Sequence, residues 1–444
     1  MAIHALQLST PTLGSLGSPK VGIKSLAPLV AIFCMGSWVT RFSLVSIALG
    51  STVTDLTFLA AYASLFLALA YLCLAGPGQV NLVALMIIPA TAVSFIGCER
   101  MDYAWPRWVG WSILVIGFGP VCFTLHAAHL RLSMYRMGQT LFLWSVMASA
   151  CWWLAGLPNL GVGDFTGVMW HSIQLGSTAA LVGVMAIVRI TNGGPSWWYG
   201  VYGTCALVAL LASSRAALAA MLFSNLIAVA LKLRRNALVS TFVLFAGLVV
   251  AIAPTTSLDL LLTVMPGEFT SGLARKSFEH SRELHWEARW EEFHAAPWTG
   301  VGFMSAWEDT TGVDADTGAV ETGSSYLAIL SMTGMVGAGV MLLLVCSLAW
   351  GMFRHWHETT EIHRVEICSM AGFWLVHLGA EGYIFAIGSI LNLMFWLWLG
   401  CLNDHFRLCR RRPQVRANRL ARPKPPGLSR LATHHAASIA GSDP

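Results

Sequence analysis

The chain alternates long, continuous apolar runs with short polar interruptions, and it lacks the every-second-residue pattern of half-buried strands. A helix needs about 20 apolar residues to cross a bilayer. In lipid only helices or closed barrels keep every backbone group hydrogen-bonded, and continuous runs favour helices. The pattern predicts spans near 26–49, 56–75, 80–97, 109–130, 138–156, 171–190, 197–213, 215–231, 237–253, 324–352, 367–381 and 384–402, which is about twelve by the length rule. The expected organisation is a disordered cytoplasmic segment 1–25, transmembrane helices over 26–253, a long loop 254–323, further transmembrane helices over 324–402 and a basic tail 403–444. The first residues are polar, rich in Ser, Gly and Pro, and carry Lys20 and Lys24. They lack a cleavable-signal pattern and read as a tail ahead of an uncleaved first helix.

Composition supports lipid as the solvent. Apolar residues make up 56% of the chain and charged residues 11%, against roughly 25% charged in ordinary soluble domains. Mean hydropathy is +0.64. A chain this apolar cannot cover a watery surface, which excludes a cytosolic enzyme, a secreted disulfide scaffold and a disordered protein. The net charge of +5 is modest but uneven. The tail beyond Asn403 holds Arg407, Arg410, Arg411, Arg412, Arg416, Arg419, Arg422, Lys424 and Arg430. It reads as a disordered cytoplasmic segment that brushes anionic lipid, not as a nucleic-acid-binding element.

Lysine and arginine concentrate in cytoplasmic loops. With the N-terminus inside, the inner connections receive Lys20 and Lys24, then Arg131 and Arg136, then Lys232, Arg234 and Arg235, then Arg354 and Arg364, and finally the tail. Both termini are then cytoplasmic, and the outer side receives 98–108, 157–170 and 254–323. The ten cysteines form no CxxC pair and lie in or beside apolar spans. They are expected to be buried thiols, with no disulfide or zinc site.

The loop 254–323 is too long for a simple connector and is rich in aromatic residues: Phe278, Trp286, Trp290, Phe293, Trp298, Phe303 and Trp307. Between Arg275 and His294 the apolar residues recur at helical intervals, with Pro297 ending the pattern, so an amphipathic helix on the outer membrane surface is expected. Arg275, Arg282 and Arg289 are spaced by seven and would share one helix face. Their planar forks suit a diphosphate; alternatively, the glutamates among them form solvated pairs of little energetic value. Arg215 lies between two apolar runs, where arginine is costly unless paired or solvated, so it is either a functional group or a snorkelling side chain. Trp286, Trp290 and Tyr326 are candidate sugar contacts.

Glu321 stands where the chain re-enters the membrane. Partial burial would raise its pKa toward that of a general base, a satisfied interfacial glutamate being the alternative. His377 and Glu381, at the outer end of the eleventh span, form a second such set. His280, His285 and His294 do not align on one helical turn, and the lone Asp314-Ala315-Asp316 is a weak metal signature, so no metal and no other cofactor is expected. Pro297-Trp298-Thr299-Gly300-Val301-Gly302-Phe303 is a tight turn whose backbone can approach another group closely.

Taken together these residues resemble the O-antigen ligase and O-antigen/exopolysaccharide polymerase superfamily of bacterial inner-membrane enzymes. The matching features run from about residue 205 to residue 400. They are Ser214-Arg215, Ser281-Arg282 with Trp286, Pro297 with Gly300-Val301-Gly302, Tyr326-Leu327 with Gly334 and Gly337, and Phe395-Trp396 with Gly400. The resemblance implies an all-α, GT-C-like membrane fold with a partly helical periplasmic loop. It also implies metal-independent glycosyl transfer from an undecaprenyl-diphosphate-linked donor, with Arg215 and Arg282 holding the diphosphate. Family members commonly carry a His-Asn pair where this chain has Gly323 and Ser324. That leaves Glu321, or less readily His294, as the base.

The departure favours a polymerase, with undecaprenyl-diphosphate-linked glycans as donor and acceptor, over a ligase that moves finished glycan to lipid A-core or protein. A chain-length regulator stays open as a partner. A lipid-linked oligosaccharide flippase is the competing class, but neither an internal repeat nor a pair of matched interrupted spans supports it.

Overall fold

The computed structural model describes residues 28–32, 34, 53–74, 78–160, 164–169, 171–232, 278–306 and 323–421. The described part is almost entirely helical: α1 (Val53–Leu74), α2 (Leu82–Ala92), α3 (Met101–Phe118), α4 (Leu125–Leu154), α5 (Ser172–Thr191), α6 (Trp197–Leu211), α7 (Arg215–Lys232), α8 (Phe278–Ala295), α9 (Ser325–Arg354), α10 (Glu361–Ala380) and α11 (Ile390–Ala421). A 3-10 turn at Val93–Gly97 follows α2. The strands are the short antiparallel pair β1 (Gln79–Val80) and β2 (Cys122–Phe123). Among the described residues, α5, α7 and α9 are long and apolar enough to cross a membrane. The expected span 237–253 and most of 26–49 lie outside the described residues.

Several boundaries differ from expectation. The spans expected at 109–130 and 138–156 are replaced by α3 and α4. The chain breaks instead at Gly119-Pro120, and Thr124 caps α4 by accepting from the Ala127 N–H at 2.9 Å. Arg131 and Arg136 therefore lie within α4 and not in a connecting loop. Arg131 is fully buried. Its guanidinium donates to both carboxylate oxygens of Asp404, at 2.8 and 2.7 Å, and to the carbonyls of Gly117, Gly119 and Cys122. The last span starts at Ile390 and continues as helix to Ala421, past residue 403 where the tail was expected to begin. Cys73, Cys151 and Cys346 are exposed and not buried.

Small residues set the tightest packing. Gly176, Ser177, Thr178, Ala179, Ala180 and Gly183 form a buried run on α5, and Ala216, Ala217, Ala220 and Ser224 do so on α7, so the two backbones approach closely. By contrast, Leu342, Leu343, Trp350 and Phe353 on α9 are 60–73% exposed. An exposed apolar face of this kind marks a surface that meets lipid or another protein. The centre is aromatic: Trp111 packs against Phe303, Phe385 and Trp396, with ring centroids 5.4, 5.5 and 5.6 Å away.

Cross-contacts define two ends. At one end, Arg131 meets Asp404, Lys232 pairs with Glu361 at 2.8 Å, and Thr359 meets His405 at 3.2 Å. At the other, the start of α5 meets the end of α10, and the start of α9 meets the turn that follows α10. The candidate site residues lie at this second end.

Candidate active site

The α6–α7 connection carries the first element. Ser213 adopts left-handed backbone geometry, φ 51°, which turns the chain sharply so that Arg215 opens α7 half-buried. Ser214, just before it, lies against Gly176 of α5, where an added Cβ would come within 2.3 Å of the serine Cβ. Only glycine permits this approach. It brings the start of α7 beside Ser177, the next residue along α5.

Ser177 begins a buried polar chain. Its hydroxyl donates to the Ile173 carbonyl at 2.7 Å, so its oxygen is left to accept from His377 Nε2–H, 2.8 Å away. Neutral imidazole then presents Nδ1 as an acceptor, and the Tyr383 hydroxyl donates to it at 2.8 Å. His377 and Tyr383 are both buried, and the imidazole stacks on Phe373 at 5.0 Å. The Glu381 carbonyl in the same turn accepts from the Ser325 hydroxyl at 2.6 Å and from the Ser325 N–H at 3.1 Å. Tyr326 donates to the Leu375 carbonyl at 2.6 Å. These bonds lock the N-terminus of α9 to the end of α10. The sequence marked His377 and Glu381 as polar groups at a helix end, but gave no sign of Ser177 as their partner.

Helix α8 packs on α9, and Trp286 lies against Gly323, where a Cβ would sit 3.2 Å from the indole. Arg289 and Glu292 pair at 2.9 Å with both side chains fully buried. This differs from the solvated charge-laced face considered from sequence. Burial pushes the Arg289 guanidinium below its ordinary range, and the Glu292 carboxylate opposes that shift. Trp290 is exposed and packs on Phe293 and His294. His294 is exposed, with Nδ1 2.9 Å from the Trp290 carbonyl. Arg275, Glu321, Asp314 and Asp316 lie outside the described residues, as does the side chain of Arg282.

A strap formed by residues 297–303 completes the end. Gly334 interrupts α9 with φ 60° and ψ −167°, which separates the Ser331 carbonyl from the Met335 N–H that it would bond in an unbroken helix. The strap supplies both missing partners. Val301 N–H donates to the Ser331 carbonyl at 2.9 Å, Met335 N–H to the Pro297 carbonyl at 2.8 Å, and Val336 N–H to the Trp298 carbonyl at 3.2 Å. At Gly300 and Gly334 a Cβ would fall 2.4 Å from the backbone facing it. The motif that reads as a tight turn is thus a backbone insert that satisfies a break in a helix long and apolar enough to cross a membrane, the need any such break has in lipid.

The segment carrying Arg215, α8, the strap and the Gly334 break also carries the likeness to known proteins. Residues 200–342 match the O-antigen ligase family. The chain carries an O-antigen ligase family domain. Comparison with curated proteins finds no match. The domain supplies Arg215, α8 and the strap, whereas His377, Tyr383 and Glu381 lie beyond residue 342 and close the same end from outside it. The family supports a membrane-embedded glycan ligase or polymerase acting on lipid-linked glycans.

Proposed function

We propose that the protein joins undecaprenyl-diphosphate-linked oligosaccharide repeat units into O-antigen or exopolysaccharide at the periplasmic face of the bacterial inner membrane. The observation that carries this reading is the convergence, inside and beside an O-antigen ligase family domain, of a half-buried arginine at a helix N-terminus with a buried, fully bonded polar chain.

In the reaction, the acceptor hydroxyl attacks the anomeric carbon of the donor glycan. The bond from that carbon to the diphosphate breaks, and undecaprenyl diphosphate leaves with the electron pair. In this reading Arg215, Arg282 and Arg275 neutralise the growing charge on the leaving group, with the α7 N-terminus adding its positive dipole. Arg289, expected from sequence to bind the diphosphate as well, is instead fully buried against Glu292 and stiffens α8. Glu321 takes the acceptor proton, and His294 is the less favoured alternative. His377 already engages both ring nitrogens and holds the framework. Trp286, Trp290 and Tyr326 offer aromatic faces to sugar rings. Cationic side chains neutralise the diphosphate in this scheme, without a metal ion.

Arg215→Ala and Arg282→Ala should each lower elongation about 10²–10³-fold, the usual loss when one transition-state donor is removed, with membrane insertion unchanged. Unchanged polymer yield in Arg282→Ala would overturn the clamp. The ligase reading is favoured by the family's own description. A deletion strain separates the two: single repeat units on the carrier mean polymerase, and long chains still on the carrier mean ligase.

A further inference from the structure

A second cationic cluster stands at the same end of the bundle, apart from Arg215 and α8. Arg107, on α3, is half-buried. Its guanidinium carbon lies 3.1 Å from the Tyr103 ring centroid, and that of Arg100 lies 5.5 Å from the same centroid, so the two charges share one neighbourhood. The hydrogen bond of Arg107 goes to the Tyr103 carbonyl at 3.3 Å. The fully buried arginines Arg131 and Arg289 each hold a carboxylate. Among the described residues, Arg100 and Arg107 form no ion pair, although Glu99 and Asp102 are close in sequence and exposed. Two adjacent, partly desolvated cations without a counter-ion call for an anion.

The surroundings indicate which anion. The Tyr62 hydroxyl reaches the Pro106 carbonyl at 3.3 Å, on the same turn of α3. On another face of the same helix end, Trp105 stacks on Trp108 with centroids 5.3 Å apart, and Phe95 packs against both. Trp105 is 52% exposed and Ile96 80%, which leaves exposed apolar surface at the same end of α3. The cluster is also tied to the candidate site. One turn beyond Arg107, Trp111 donates to the Ile384 carbonyl at 3.2 Å, next to Tyr383. Cys98 meets Ser305, two residues past the strap, at 3.3 Å.

We infer that Arg107 and Arg100, which share the Tyr103 ring, bind the phosphate groups of a lipid-borne anion, whose lipid part would rest on the exposed apolar surface at this end of α3. On the polymerase reading above, which this inference rests on, that anion is the diphosphate of the acceptor. Elongation joins two carrier-linked glycans and so needs two diphosphate sites.

Binding of farnesyl diphosphate to the full-length protein in detergent, followed by calorimetry, tests this. Two sites are expected. Arg107→Gln and Arg100→Gln should each weaken one of them by on the order of tenfold. Arg215→Gln should weaken the other, and Arg107→Lys should retain part of the affinity through its charge. Unchanged thermal unfolding of Arg100→Gln, which makes fewer contacts, guards against misfolding.

A single site lost in Arg215→Gln and unaffected in Arg107→Gln and Arg100→Gln would overturn the inference and leave the proposed function intact. No binding at all by the wild-type protein would overturn both. Displacement of the Arg107 site by inorganic diphosphate supports recognition of the diphosphate itself. Displacement only by phosphatidylglycerol in nanodiscs would make it a headgroup site and overturn the acceptor assignment.

Discussion

Arg131 and Asp404 are 2.7 Å apart, with side-chain exposures of 0% and 6%. Removing one partner of such a pair strands the other charge, at a cost of about 3–5 kcal/mol. Arg131→Met and Asp404→Asn should therefore each lower thermal stability in detergent sharply. The double variant Arg131→Met/Asp404→Leu should recover part of the loss, though not all, since the Gly117, Gly119 and Cys122 carbonyls lose their donor. Additive single losses in the double variant would contradict direct coupling. The sequence misplaced Arg131 in a loop because its partner lies 273 residues away, and nothing in a local window distinguishes a buried, paired arginine from a solvated one. The same distance problem hid Ser177, 200 residues from His377. Polar residues at helix ends were legible; their partners were not.

Helices were legible where apolar runs end at clear punctuation. Helix α5 begins at Ser172 and α7 at Arg215, each within a residue of expectation. The α3–α4 junction was misread because the charges at 131 and 136 outweighed Gly119-Pro120, which physically stops a helix. The strap was half legible. Its prolines and glycines announced a turn able to approach another backbone, but only the fold shows that this backbone is α9 at Gly334. The positive φ and the 2.4 Å clearance there make Gly334→Ala a severe change, one that should lower both stability and glycan elongation. Gly339 has nothing within 4 Å of an added Cβ, so Gly339→Ala should be neutral or mildly stabilising, given alanine's advantage over glycine of up to about 1 kcal/mol in a helix. Equal effects in unfolding and elongation assays would show that the break carries no special geometry.

At the scale of the whole molecule, basic residues separate by end. Arg131, Lys232, Arg364 and Arg407 gather where α4 begins, α7 ends and α10 begins, while Arg215, the polar chain of His377 and the pair Arg100–Arg107 stand at the opposite end. The positive-inside rule favours a cytoplasmic first end, which also carries the basic stretch after Asn403, and we propose that the candidate site faces the periplasm. Cys151 reports on this directly. It is exposed in the last turn of α4, at the end that carries the site. A membrane-impermeant maleimide added to intact spheroplasts should label the wild-type chain, and Cys151→Ser should remove that signal while sparing labelling that appears only after permeabilisation. Labelling of Cys151 only after permeabilisation would put the arginines on the cytoplasmic side, where a polymerase acting on exported carrier-linked glycan could not work.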